Sequence, residues 1–246
     1  METQLTDQVF IIGGGSAGLG YATAKALTDE GARVLIAGRD RERLDTAIAS
    51  LPAGSAHGIR ADVGNPDAAG QLVAAAIDRF GRLDGALVNT GGPRLASVDE
   101  LTEQDWQDAV QAVLLGPIRL ARETVQHLVG PDGSGGSLLF VLSATVRNPI
   151  PQLALSNALR PALAGHLKDI ADAYGAGPKA VRANGILPYQ ISTSRGLSSG
   201  SASDTALGRF GTPDEFGSVA AFLLSPASSF VTGSLVAVDG GKLRSM

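Results

Sequence analysis

Short, wholly apolar runs alternate along the chain with longer stretches in which Ala, Leu, Val and Ile recur every three or four residues. The short runs predict buried strands over residues 9–12, 33–37, 59–61, 86–89, 138–142, 181–187 and 235–238. The longer ones predict helices from a glycine cluster to about Glu30, over 41–50, from Asn65-Pro66 to about Phe80, over 102–128, over 153–174, and from Thr212 to Leu224. Local chemistry punctuates the pattern. Gly31 and Gly81 stand where helices should stop. Asn65 offers a capping side chain with Pro66 at the first helical position. Thr102 with Asp105, and Thr212-Pro213-Asp214-Glu215, read as helix starts. Strands apolar on both faces, separated by helices, imply an α/β architecture whose parallel sheet is covered on both sides. Right-handed crossovers make that sheet doubly wound. No linker or internal repeat interrupts the pattern, so residues 1–246 are expected to form a single domain. The Ser-, Gly- and Ala-rich stretch over 192–208 is too long for an ordinary connection, which leaves a disordered loop or a lid over a substrate.

In such sheets ligands bind beyond the carboxyl ends of the strands, so the loops after strands one, two, four, five and six carry the chemistry. The first is Gly13-Gly14-Gly15-Ser16-Ala17-Gly18-Leu19-Gly20. A glycine-rich turn lets backbone N–H groups approach a diphosphate at the positive end of the following helix. Two registers fit. Gly13, Gly15 and Gly18 match G-x-G-x-x-G, while Gly14, Gly18 and Gly20 match G-x-x-x-G-x-G, with Ser16 and Leu19 between them as further candidate contacts. The architecture expected is therefore a single Rossmann-type sheet, and residues 1–246 a single dinucleotide-binding domain. The second strand ends Ala37-Gly38-Arg39-Asp40. A carboxylate at its end would bond a ribose 2′-hydroxyl and repel a 2′-phosphate, whereas Gly38 leaves room and Arg39 can clamp one. NADP(H) is favoured over NAD(H), although Asp40 keeps NAD(H) open. FAD is disfavoured by the same pair.

Charge and composition narrow the partners. Twenty Lys and Arg against 24 Asp and Glu give a net charge of −4, which argues against nucleic acid. The absence of cysteine excludes disulfides and thiolate chemistry, and His57, His127 and His166 are too scattered for a metal motif. The first residues are polar and acidic, unlike a signal peptide, and no apolar stretch approaches the roughly 20 residues that span a bilayer. A cytoplasmic protein acting on a small molecule, away from membranes, is expected.

Taken in order, several segments resemble the short-chain dehydrogenase/reductase family, over nearly the whole chain. They are the glycine cluster, Asp62-Val63, Asn89-Thr90-Gly91-Gly92, Asn184-Gly185-Ile186-Leu187-Pro188 with Thr193, Gly208-Arg209-Phe210-Gly211-Thr212-Pro213-Asp214-Glu215, and Asp239-Gly240-Gly241. The variant at Asn89–Pro93 is similar to a branch related to 3-oxoacyl-carrier-protein reductases. The resemblance implies that Asp62 and Val63 contact adenine, that Asn89 and Gly91 steady the sheet beneath the cofactor, and that Pro188, Ile191 and Thr193 close over the nicotinamide. It also implies a homodimer or homotetramer through the long helices and the last strand.

The family moves hydride between nicotinamide and a carbonyl or alcohol carbon, with Ser, then Tyr thirteen residues on, then Lys four beyond. Ser143 matches the Ser, but Ser156 and Arg160 stand where the Tyr and Lys belong, and Val113 aligns with a further family Asn. A serine hydroxyl is a far poorer acid than a phenol of pKa near 10. Arginine keeps a charge that can hold the nicotinamide ribose but cannot shuttle a proton. Tyr21-Ala22-Thr23-Ala24-Lys25 satisfies Tyr-x-x-x-Lys literally, yet it follows the glycine cluster and reads as ordinary helix. Tyr189, after Pro188, offers either a relocated phenol or an aromatic wall. Two readings stay open. One is an atypical NADP(H)-dependent oxidoreductase for a carbonyl, alcohol or imine-like molecule, with Ser143 polarising the substrate oxygen and Tyr189, Ser156 or water completing proton transfer. The other is a catalytically silent nucleotide binder with a structural or sensing role. A halohydrin-dehalogenase-like lyase, which also carries Arg for Lys, is disfavoured because those relatives keep the Tyr and lose the glycines.

Overall fold

The computed structural model describes residues 2–194 and 201–244. Seven parallel strands, β1 (Val9–Ile12), β2 (Arg33–Gly38), β3 (Ala56–Arg60), β4 (Gly85–Val88), β5 (Gly136–Val141), β6 (Val181–Pro188) and β7 (Leu235–Val238), form one sheet in the order β3-β2-β1-β4-β5-β6-β7. The order reverses between β1 and β4, so the loops leaving these two strands diverge and open a crevice above the sheet.

Alternation within the strands divides the core. Ile11, Leu35, Leu138 and Phe140 point to one face, under α3 (Ala68–Phe80), α5 (Gly116–Val129) and α6 (Ala154–Tyr174). Phe10, Ile12, Ile36 and Leu139 point to the other, under α1 (Gly18–Asp29), α2 (Arg41–Ala49) and α7 (Pro213–Leu224). Every residue of β1 and β4 is buried, as apolar-throughout strands require. The stops and starts follow the sequence: Gly81 takes a left-handed φ of 77° after α3, and Thr102 and Thr212 each close a reciprocal capping box. Among the described residues no helix is long and apolar enough to cross a membrane, and no cluster of side chains could hold a metal.

Three expectations are corrected. The third strand spans Ala56–Arg60 rather than 59–61. It is an edge strand, where His57 and Gly58 are tolerated half-buried; a Cβ on Gly58 would lie 2.4 Å from Ile48 Cδ1. Asn65 does not cap α3. Its N–H donates to the Asp62 carbonyl at 2.9 Å, its own carbonyl accepts from Ala68 N at 3.2 Å across the next turn, which contains Pro66, and the helix starts at Ala68, after an Asp67 that makes no side-chain cap. The single helix over 102–128 is instead α4 (Glu103–Ala109), a π-helical segment (Val110–Leu115) and α5. Gly116 sets the register of α5, because a Cβ there would lie 2.6 Å from the Val63 carbonyl oxygen. The wider turn reconciles that contact with the independently capped α4.

Candidate functional site

The crevice is backbone brought close to backbone. Gly13 N donates to Leu87 O at 3.1 Å and Gly15 N to Ala37 O at 3.0 Å, which folds the turn down onto β4 and β2. Asn89, 8% exposed, donates its side-chain amide to Gly13 O at 2.9 Å and locks the turn from the far side. There is no space for side chains. A Cβ on Gly13 would lie 2.2 Å from Asn89 O, and one on Gly20 would lie 2.4 Å from Gly14 O. The helix that follows opens on Ala17, with no side-chain cap and no acidic residue in its first turn, so its N-terminal N–H groups face the crevice unopposed by negative charge.

The resulting cleft has a volume of about 520 Å3. Gly14, Ser16, Gly18, Leu19 and Gly20 line one wall, Arg39, Asp62 and Val63 the outer end, and Asn89, Gly91 and Thr193 the floor and inner end. At the outer end a Cβ on Gly38 would lie 3.1 Å from Ser16 Oγ, so any side chain there would crowd the serine. The Arg39 side chain is 75% exposed, its Nη1 3.9 Å from Asp62 Oδ2, and its carbonyl accepts from Arg60 Nε at 3.1 Å. Asp40 is turned away from the cleft: its carboxylate caps α2 by accepting from Arg43 N at 3.1 Å.

Leu19, Asn89 and Thr193 also line a smaller inner recess of about 160 Å3, so the two spaces lie side by side across these residues. Ser143, Ser156, Arg160, Pro188, Tyr189 and Ile191 all line it. The ends of β5 and β6 and the first turns of α6 thus bring the sequence candidates together. Ser143 is half-buried, and its Oγ accepts from Thr145 N at 3.2 Å. Ser156 is 5% exposed, with its Oγ 3.2 Å from Thr145 Oγ1. Arg160, 6% exposed, donates through Nη1 to the carbonyl of Val141 at the end of β5. Tyr189 is half-buried; its phenol donates to Asp204 Oδ2 at 3.4 Å, and Lys242 Nζ lies 5.2 Å from its ring centre.

Other candidates separate. Val113 is fully buried and packs with Ala109, Leu155 and Leu159 in a small apolar cluster beside the recess. Tyr21 and Lys25 face away from both spaces: the phenol meets Ser50 Oγ at 2.7 Å, and the ammonium pairs with Asp29 at 2.7 Å, which raises its pKa. Of the Ser-rich stretch, Ser192 N donates to Gly211 O at 2.8 Å and Ile191 bridges Gly211; residues 195–200, part of the expected loop, lie outside the described residues.

Two participants escaped the sequence. Thr145, 2% exposed, touches both serines, and only the tertiary approach of β5 to α6 makes that visible. Gln190, 5% exposed, adopts a left-handed φ of 50° where the chain turns from β6 towards the recess. Non-glycine residues rarely hold that conformation, and no local pattern marks it.

Comparison with known proteins places these features in a family. Residues 14–242 match the family model described as enoyl-(acyl carrier protein) reductase. An uncharacterised oxidoreductase of Mycobacterium tuberculosis is 34% identical over 97% of this chain and 93% of its own length. Among solved structures, L-sorbose reductase from Gluconobacter frateurii, complexed with NADPH and L-sorbose, superposes with a TM-score of 0.91 at 25% identity over 100% of both chains. The 3-ketoacyl-(acyl-carrier-protein) reductase from Brucella melitensis, complexed with NADH, gives 0.90 at 26% identity over 97% of this chain and 99% of that one.

Proposed function

The chain belongs to the short-chain dehydrogenase/reductase family, and on that premise we propose that it is an atypical, cytoplasmic, NADP(H)-dependent oxidoreductase acting on a carbonyl, an alcohol or an imine-like small molecule. The observation that carries this reading is that the two spaces adjoin across Leu19, Asn89 and Thr193, with a backbone-lined cradle in one and Ser143 lining the other.

The residues present fit a dinucleotide. Gly14, Ser16, Gly18, Leu19 and Gly20 hold the diphosphate against the start of α1, where an added Cβ would occupy its cradle. Asp62 and Val63 flank the adenine, and Asn89 and Gly91 support the floor. Arg39 takes the 2′-phosphate; the crowding of Gly38 by Ser16, and the commitment of Asp40 to the cap of α2, support NADP(H) over NAD(H). Pro188, Ile191 and Thr193 enclose the nicotinamide, and Arg160 faces its ribose. When bound, the cofactor supplies hydride to the substrate carbon or takes it back.

What remains for the chain is to stabilise and protonate the oxygen. Because Thr145 N donates to the Ser143 Oγ, the serine's own proton is left to point at a substrate oxygen, and Ser143 acts as the donor. Ser156 is turned to Thr145. Proton delivery therefore falls to Tyr189, once it leaves its long bond to Asp204, or to water. A specific observation favours the second reading, a catalytically silent nucleotide binder: Val113, Leu155 and Leu159 pack hydrocarbon beside the recess. The fully exposed Phe230 and the part-exposed strand β7 support a homodimer or homotetramer, which light scattering would measure.

Calorimetric titration with NADPH and NADH tests the reading. NADPH is expected to bind the more tightly, and Arg39→Ala to weaken it about tenfold or more while leaving NADH unchanged. Equal losses for both would remove Arg39 from its role, and no heat with either would end the reading. Turnover on a carbonyl panel separates the enzyme from the silent binder.

A further inference from the structure

A third cavity, unused by the reading above, is connected to the inner recess through the contacts of Tyr189. It has a volume of about 320 Å3 and is lined in part by Asn148, Ser203, Asp204, Lys242 and Arg244. Tyr189 links the two through its contacts with Asp204 and Lys242. It lines the inner recess, while its phenol reaches Asp204 and its ring carries Lys242 at 5.2 Å.

The outer recess is held in place by its own bonds. Asp239, 8% exposed, accepts from Gly241 N at 2.9 Å and Leu243 N at 2.8 Å, which fixes the chain on both sides of Lys242. Leu207 N donates to Gly240 O at 3.1 Å and ties the segment bearing Asp204 to the same turn. The lining carries two cations and one carboxylate, and the carboxylate is engaged elsewhere, by the Tyr189 phenol and by Ser201 N at 3.1 Å. Among the described residues neither Lys242 nor Arg244 makes an ion pair, although ten other pairs form over the surface. The Lys242 ammonium is held against an aromatic face, and among the described residues no carboxylate lies within ion-pair distance of it, Asp204 being the one acid in the same lining.

We propose that this cavity is a subsite for an anionic group on the substrate, so that the preferred substrates carry a carboxylate or phosphate beyond the reacting carbon. Lys242 and Arg244 supply the charge, and Asn148 and Ser203 supply neutral hydrogen bonds. The ring of Tyr189 spaces the anion from the carbon that reacts. The inference rests on the oxidoreductase reading and specifies its substrate class.

The test uses the full chain loaded with NADP+ and pairs of ligands that differ in charge: 4-oxopentanoate, 5-oxohexanoate and 6-oxoheptanoate against their methyl esters, and dihydroxyacetone phosphate against dihydroxyacetone. Calorimetry reads binding without requiring turnover. At least one anion is expected to bind about tenfold more tightly than its neutral partner. Lys242→Met with Arg244→Met should abolish that preference, while Lys242→Arg retains it. The carboxylate and phosphate arms separate the two anion types. Equal binding within every pair, a preference that survives the double variant, or no binding by any anion would overturn the subsite. Titration with NADP+ comes first and keeps the failures apart. If NADP+ binds and the anion preference is absent, only the subsite falls; if wild-type protein takes up no NADP+, the oxidoreductase reading falls with it.

Discussion

The cleft and the inner recess lie side by side above one sheet, yet they are built from different materials. The cleft is a meeting of main chains: Gly13 against Asn89, Gly20 against Gly14, and a helix start without a side-chain cap. The recess is a meeting of side chains, and each is committed to a neighbour: Ser156 to Thr145, Arg160 to the Val141 carbonyl, Tyr189 to Asp204. A site made of backbone tolerates little change, because a methyl group at Gly13 or Gly20 collides with main-chain atoms that cannot rotate away. A site made of side chains can exchange its chemistry while the scaffold stays. The two spaces can therefore carry the same ancestry and differ widely in what each retains.

The largest expected effect breaks the contrast at the backbone end. Gly20→Ala places a Cβ 2.4 Å from the Gly14 carbonyl oxygen and should abolish NADPH binding or folding, read by calorimetry and thermal melting. Ser156→Ala, a change of similar size in the recess, should leave NADPH affinity within about twofold. Next in size, Ser143→Ala should lower kcat/KM about a hundredfold with NADPH affinity unchanged, if the serine hydroxyl donates to the developing oxyanion. An undiminished rate would remove Ser143 from the chemistry. Thr145→Val sharpens the contrast further. It leaves the backbone N–H on Ser143 but strips the hydroxyl from Ser156, at a cost of about 1–2 kcal/mol, which melting would register as a drop of several degrees.

The smallest effect concerns the start of α7, which packs on α1 behind the cleft. The Arg209 guanidinium, with the Thr212 backbone N–H, holds the Glu215 carboxyl at a pKa of about 2, below its ordinary 4.5. A depressed pKa stabilises the fold above the unfolded value and loses that contribution as pH falls through the folded one. The melting-temperature gap between wild type and Glu215→Gln should therefore be constant above pH 4.5, shrink below it and close near pH 2, without altering NADPH affinity at pH 7.

The same division explains what was legible in the sequence. Strand β1 and the caps at Thr102 and Thr212 follow from local pattern, because burial on both faces and side-chain caps write themselves into neighbouring residues. The glycines of the cleft were equally readable, since close approach of backbone leaves no alternative residue. The third strand was misplaced because an edge strand need not be apolar, and the α3 cap because Asn65 and Pro66 serve a tertiary turn as well as they would a helix start. The candidates of the recess stand together around one space. Their partners Thr145, Asp204 and Lys242 were not legible, for these are set by contacts across 11, 15 and 53 positions of the chain that no local spacing encodes.

The π-helical segment between α4 and α5 couples these two regions through rotation. One residue of an α-helix subtends about 100°, so a single extra residue lets α4 and α5 keep faces that a continuous helix could not present together. Through Ala109 and Val113 the upstream portion lines the cleft, and through Leu120, Ala121 and Leu128 the downstream portion is set into the sheet's core. Excising one residue from Val110–Leu115 would straighten the rod and force a choice: either the core keeps its leucines and the wall of the cleft turns away, or the wall stays and the core is unseated.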